Sequence, residues 1–281
     1  MAIPKLSDLS FDDIELAKPA QKNPQFTVLY GKGGVGKTTL AAYSENPVIV
    51  PVGRETGHEI HANWGIPTFA NTQERPPLDF LFSCMARLLK TEHSRKTLIV
   101  DNLGTYREAV DEDVEADNIN ENLNAYGKRQ SLAYPYYTKL LAGFDALMKK
   151  KEMNIILLAH EVQFNINKED GTYFSRTGIH CPAGENTNVR ALLEARAHNV
   201  LYMRSEPPTR KAKDAMGQEK LIATGGAPKR IIYTKPHGSF FAKCRVNMEP
   251  YYEIESSDTE EDLLKHRNNA DMIKFWQDLY K

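Results

Sequence analysis

Gly31-Lys32-Gly33-Gly34-Val35-Gly36-Lys37-Thr38-Thr39 sets closely spaced glycines beside a lysine and two threonines, in the pattern G-x-x-x-x-G-K-T. Glycines let a backbone curl until successive N–H groups face one anion. In a loop of this kind Gly31, Gly33, Gly34, Val35, Gly36 and Thr39 form the cradle, Lys37 reaches the β- and γ-phosphates, and the Thr38 hydroxyl ligates Mg2+. Phe26 to Tyr30 lead in as an apolar strand and Leu40-Ala41-Ala42-Tyr43 lead out as a helix, which is the context the loop requires. A bare strand-to-helix turn has no need of a lysine and two threonines. The run implies a site for the phosphate tail of a nucleotide.

A triphosphate with Mg2+ needs a second oxygen anchor from a neighbouring strand. Asp101, behind Leu98-Ile99-Val100, sits where open α/β sheets put their ligands, at the carboxyl end of a strand. Hydrolysis also needs a group to position water. Glu55 follows the strand-like Val48 to Val52, with His58 and Glu59 as less well placed candidates. His160 closes the apolar run Asn154 to Ala159 and is followed by Glu161, so a polar tip there could sense the γ-phosphate. Lys243 and Arg245 in Ala242-Lys243-Cys244-Arg245 leave a strand on one side. They would either cap the chain's own phosphates from the same sheet edge or reach a neighbouring subunit's nucleotide.

The elements that must hold these groups can be read from the apolar pattern. Phe26–Tyr30, Pro47–Val52, Thr97–Asp101 and Asn154–His160 are continuous apolar runs, alternating with helical spacing over Leu78–Leu89 and Ala133–Lys150. Strands without inside–outside alternation are buried on both faces, so the pattern predicts an α/β fold with a mostly parallel sheet between helices. Shorter segments over Asn199–Met203, Lys229–Thr234 and Ser239–Arg245 predict an antiparallel extension. Residues 1–24 read as an extended lead-in, 25–255 as the main domain and 256–281 as a C-terminal helix. That helix would be opened by a Ser257/Glu260 capping box and carry Leu263, Ala270, Ile273, Trp276 and Tyr280 as one stripe.

The chain has 281 residues and a formal net charge of -1, so no global field recruits a polyanion or a membrane surface. Charge is segregated all the same. Asp101 to Ala125 holds eight acids and one base, which reads as solvated loop surface, and Arg204 to Lys235 holds eight bases and three acids in a Gly- and Pro-containing stretch. Cys84, Cys181 and Cys244 show no pairing or zinc spacing, which suits a reducing, cytoplasmic setting. No apolar run approaches the length of a membrane span, and no signal peptide is visible at the N-terminus.

Taken in order, the loop, Glu55, Asp101, Ile155 to His160 and the late Lys-x-Arg resemble the parts of RecA-type ATPase cores. Over Phe26 to Tyr252 the chain is similar to a phage-encoded, RecA-like ATP-binding family found with recombination and single-strand annealing genes. That resemblance implies a RecA-like P-loop fold, ATP and Mg2+ as ligands, and ATP hydrolysis linked to single-stranded DNA. It further implies a homo-oligomer in the host cytoplasm, and a single-strand-binding protein as a partner. It makes Glu55 the water activator, His160 the sensor and Lys243/Arg245 a finger pair. DNA contacts would then come from Val162 to Arg190, with Phe164, Lys168, Tyr173, Phe174, Arg176 and Arg190, or from Arg204 to Arg230. Two other readings stay open: a partition-type dimeric ATPase, whose extra loop lysine would be Lys32, and a small-molecule kinase.

Overall fold

The computed structural model describes residues 23–55, 62, 65–123, 125, 127–167, 171–184, 187–213, 219–224, 229–254 and 269–281. Residues 1–22 of the lead-in, the fallback residues His58 and Glu59, Lys168, and the Ser257/Glu260 capping box with Leu263 all lie outside them.

Five strands run parallel at the centre: β1 (Phe26–Gly31), β2 (Pro47–Pro51), β3 (Thr97–Asp101), β4 (Asn154–Asn167) and β6 (Asn199–Glu206). β1 lies between β4 and β6, and β3 and β2 continue outward from β4. Antiparallel additions are β5 (Tyr173–Ile179) on β4, β9 (Lys229–Tyr233) and β10 (Lys243–Cys244) on β6, and β11 (Tyr251–Ile254) on β9. A separate hairpin joins β7 (Thr209–Lys213) to β8 (Glu219–Ala223). The mostly parallel sheet between helices, with an antiparallel extension, is the arrangement the apolar pattern predicts.

Both faces of the central strands β1, β2 and β3 and of the first half of β4 are buried, which explains the unbroken apolar runs. Val28, Val50, Val100 and Leu157 face one core; Leu29, Ile49, Ile99 and Leu158 face the other. The first is covered by α2 (Pro77–Lys90), α3 (Leu103–Asp117) and α4 (Lys128–Lys151), through residues such as Leu81, Tyr106, Leu140 and Phe144. The second is covered by α1 (Lys37–Ala42) and α6 (Ala270–Leu279), while the short α5 (Val189–Arg196) adds Val189 and Leu193 to the first core. At α6 the buried residues are Met272, Phe275, Trp276 and Leu279, so the face is turned from the expected stripe, and Ile273 and Tyr280 are only half-buried. Asn269 caps it, accepting from the backbone N–H groups of Asp271 and Met272.

Two expectations need correcting. The acidic stretch after Asp101 is a helix rather than a loop, because Asn102 caps α3 and Leu103, Tyr106, Val110 and Val114 fall on one buried face. The fourth strand does not stop at His160. It runs on to Asn167 and is pinned by β5, from Glu161 opposite Ile179 to Asn167 opposite Tyr173, so most of Val162 to Ile179 is a hairpin.

Candidate functional site

β1 ends at Gly31, where a β-carbon would meet the Met203 carbonyl oxygen at 2.0 Å. Only glycine lets β6 approach this closely as the chain leaves the sheet. Gly36, at the foot of α1, has φ 96°, a left-handed turn that reverses the chain into the helix. Lys37 is buried, and its amine donates to the carbonyls of Gly31 at 3.0 Å and Lys32 at 2.7 Å, curling the loop round its own side chain. Burial holds the Lys37 amine below its ordinary pKa, opposed by the charges of Asp101, Glu161 and Glu55.

Asp101 comes to the same point from β3. The Thr38 hydroxyl donates to Asp101 Oδ2 at 2.9 Å. Burial, then the charge of Glu55, pushes the Asp101 carboxyl up to about 6, against the Thr38 hydrogen bond and Lys37. A hydroxyl and a carboxylate are hard oxygen donors of the kind Mg2+ takes from proteins, and the pair leaves further positions to water and phosphate. The donor set fits that ion.

Glu55, just past β2, is held from the next residue along: Asn102 Nδ2 donates to Glu55 Oε2. The Oδ1 atom of the same Asn102 accepts from Gly104 N at 2.7 Å and Thr105 N at 3.1 Å, so one side chain both caps α3 and grips the carboxylate. Its charge bears on Asp101, Lys37 and His160 alike. The His160 ring sits between the loop and α3: β-carbons on Gly33 and Gly104 would lie 3.8 Å and 3.6 Å from it. Burial, then Lys37, lowers its pKa, keeping the imidazole neutral at neutral pH. Asp101 at the end of β3, Glu55 just past β2 and His160 within β4 thus converge on Lys37 from three separate strands.

Lys243 and Arg245 do not join them. The outer edge of β6 is shared, with β9 taking Tyr202 to Glu206 and β10 taking Asn199 and Val200. Lys243 therefore stands level with Val200 and, through it, Val28, while the loop begins past Tyr30. That is roughly 10 Å back along the sheet and two strands across. The Lys243 amine donates to the Glu194 carbonyl at 2.7 Å, and Arg245 N donates to Asn199 Oδ1. Capping of the chain's own phosphates by this pair is excluded by that position.

Three residues at the site were given no role of their own by the sequence. Asn102 reads as a turn former, and its grip on Glu55 needs the strand order to be known. Glu161 has a buried Oε2 without a hydrogen-bond partner and a charge felt by Lys37. Arg230, in the basic stretch, lies with its guanidinium over Gly36. Only its membership of a charged segment could have drawn attention to it.

A family model described as AAA domain matches residues 23–246. No curated protein matches the chain. Among solved structures, the flagellar accessory protein FlaH from Methanocaldococcus jannaschii is similar at 8% identity, over 84% of this chain and 87% of that one, with a TM-score of 0.39. Among the described residues no helix is long and apolar enough to cross a membrane.

Proposed function

Because this chain belongs to the AAA domain family, and so to the nucleotide-binding P-loop ATPases, we propose that it is a Mg2+-dependent ATPase whose turnover is coupled to single-stranded DNA. The observation that carries the ATPase reading is the convergence of Lys37, Thr38, Asp101 and Glu55 at one strand-end edge. In this reading the loop N–H groups and Lys37 bind the phosphates, and Thr38 with Asp101 holds the metal. Bound there, Mg2+ would neutralise charge on the β- and γ-phosphates. Glu55, fixed by Asn102, accepts the proton of the attacking water. Neutral His160, packed against Gly33, hydrogen-bonds the terminal phosphate and registers its departure.

Support for DNA comes from the β4–β5 hairpin, which continues directly from His160. Tyr173 at its far end is 69% exposed, a ring free to stack on a base. Arg190 lies over the Phe164 ring at 4.1 Å, with its Nε donating to the Ile179 carbonyl, and Arg176 lies over Phe241 at 5.5 Å, so cations and aromatic rings interleave beside the hairpin. The biological setting we propose is phage recombination or strand annealing, with a homo-oligomer in which Lys243 and Arg245 reach a neighbour's nucleotide. A single-strand-binding protein is the partner such a role would call on.

ATP turnover with and without labelled single strands, combined with fluorescence anisotropy across a salt series, tests the DNA half. Stimulated turnover and binding that weakens steeply with salt are expected. Salt-independent or absent binding removes it. Nucleotide-dependent dimers that need Lys32, whose side chain is exposed on the loop rim, would favour the partition-type switch instead. Phosphate transfer to a small acceptor would favour a kinase.

A further inference from the structure

Arg230 is placed at the loop by strand register. Tyr202 of β6 stands beside Tyr30, the last residue before the loop, and Arg230 of β9 pairs with Ser205, three residues further on. The β6–β9 pair therefore overhangs the edge where β1 stops. Along β9 the faces alternate, and Ile232 points into the core beneath α1. Arg230, two residues away, lies on that same side. Its guanidinium comes over Gly36: a β-carbon there would be 3.3 Å from Nη1, 3.4 Å from Cζ and 3.5 Å from Nε.

The surrounding charges leave this cation free for a ligand. Its neighbours are engaged, Arg204 with Glu206 and Lys229 with Glu253. Among the described residues no ion pair to Arg230 occurs. The strand beneath it is held on both sides, by Ser205 of β6 and Ile254 of β11, so the side chain springs from a rigid base. The carboxylates Asp101 and Glu55 gather instead around Thr38 and Asn102. The site is thus polar in one direction, with oxygen donors for a cation at one end and an arginine at the other.

Backbone N–H groups of such a loop cradle the α- and β-phosphates, while the lysine extends to the β- and γ-phosphates. A guanidinium above Gly36 stands at the first of these places. We propose that Arg230 is a nucleotide-binding residue supplied by the same subunit, pairing with the α- and β-phosphates opposite Lys37. This rests on the nucleotide-binding reading of the loop and extends it to a residue outside the loop. A phosphate–guanidinium pair is a charge-assisted contact that an alkylammonium reproduces in charge but not in fork geometry.

The test is titration of the full-length protein with fluorescent ATP and ADP analogues in Mg2+, at several protein concentrations. The unsubstituted protein is compared with Lys37→Ala, Arg230→Ala, Arg230→Gln and Arg230→Lys, each checked for folding by circular dichroism. Arg230→Ala and Arg230→Gln should weaken ATP and ADP alike by about tenfold or more at every protein concentration, the size expected for one charge-assisted contact. Arg230→Lys should recover part of the loss. Unchanged affinity in both neutral variants, with binding lost in Lys37→Ala, would overturn the arginine assignment alone. Loss for ATP only would overturn the α/β position, and a loss confined to high protein concentration would overturn its action within one subunit. No binding by the unsubstituted protein would overturn both this and the reading of the loop.

Discussion

Thr38 Oγ1 and Asp101 Oδ2 are 2.9 Å apart although 63 residues separate them in the chain. The hydroxyl leaves the first turn of α1 and the carboxylate leaves the end of β3, with β4 standing between the two parent strands β1 and β3. An oxygen pair assembled this way at a sheet edge carries a cost when no cation is present, because Asp101 is buried and faces Glu55.

That cost has a sign. The Asp101 pKa is raised from 3.8 to about 6, so the folded chain holds this proton more tightly than the unfolded one between those values. The contribution to stability falls as pH climbs through that window, and the full penalty stands above it. Asp101→Asn should therefore raise the melting temperature of metal-free, nucleotide-free protein at pH 7, and do so less as pH falls toward 4. The same variant should lose the thermal stabilisation that Mg2+ with ATP confers. Scanning calorimetry with and without Mg2+–ATP checks both; an unchanged ligand-induced shift would remove Asp101 from the metal site.

Lys37→Ala should abolish nucleotide binding, since the phosphates lose their principal cation. Its effect on the bare fold should be small, because burial already disfavours the charged amine. Retained affinity in a calorimetric titration would refute the site.

Glu55→Gln should leave ATP affinity intact and slow turnover by about two to four orders of magnitude, the range expected for loss of a general base. Asn102→Ala should slow turnover less and also cost about 1 kcal/mol of stability, since the same side chain caps α3. In the double variant turnover should fall no further than in Glu55→Gln alone. Additive losses in steady-state kinetics would mean that Asn102 does not act through Glu55.

Arg245→Ala should cut turnover without affecting affinity, and mixing it with Lys37→Ala protein should restore activity only if the finger works between subunits. Activity that stays flat across mixing ratios would argue against a trans role.

The Trp276 indole N–H donates to the Leu40 carbonyl at 2.7 Å, tying α6 to the helix that follows the loop. Trp276→Ala should cost about 3–5 kcal/mol by opening a cavity in the second core. Chemical denaturation measures it; a loss below about 1 kcal/mol would mean that α6 packs independently of α1.

Features encoded by neighbours in the chain were legible from the sequence. Gly31 to Thr39 declare their chemistry within nine positions, and the four apolar runs declare strands buried on two faces, because side-chain type and local spacing decide both. The end of an apolar run also puts Asp101 at a strand end without any knowledge of its neighbours. What escaped was pairing between distant segments. His160 reads as a strand terminus because apolar burial stops there, yet β5 carries the ladder on to Asn167 through backbone bonds that ask little of side-chain type. Lys243 and Arg245 read as site residues, and Arg230 as one basic residue among eight, until the edge of β6 is divided between β10 and β9. Which strand takes which half is set by how two cores close over the whole sheet. That division alone moves one set of cations away from the loop and lays another over Gly36.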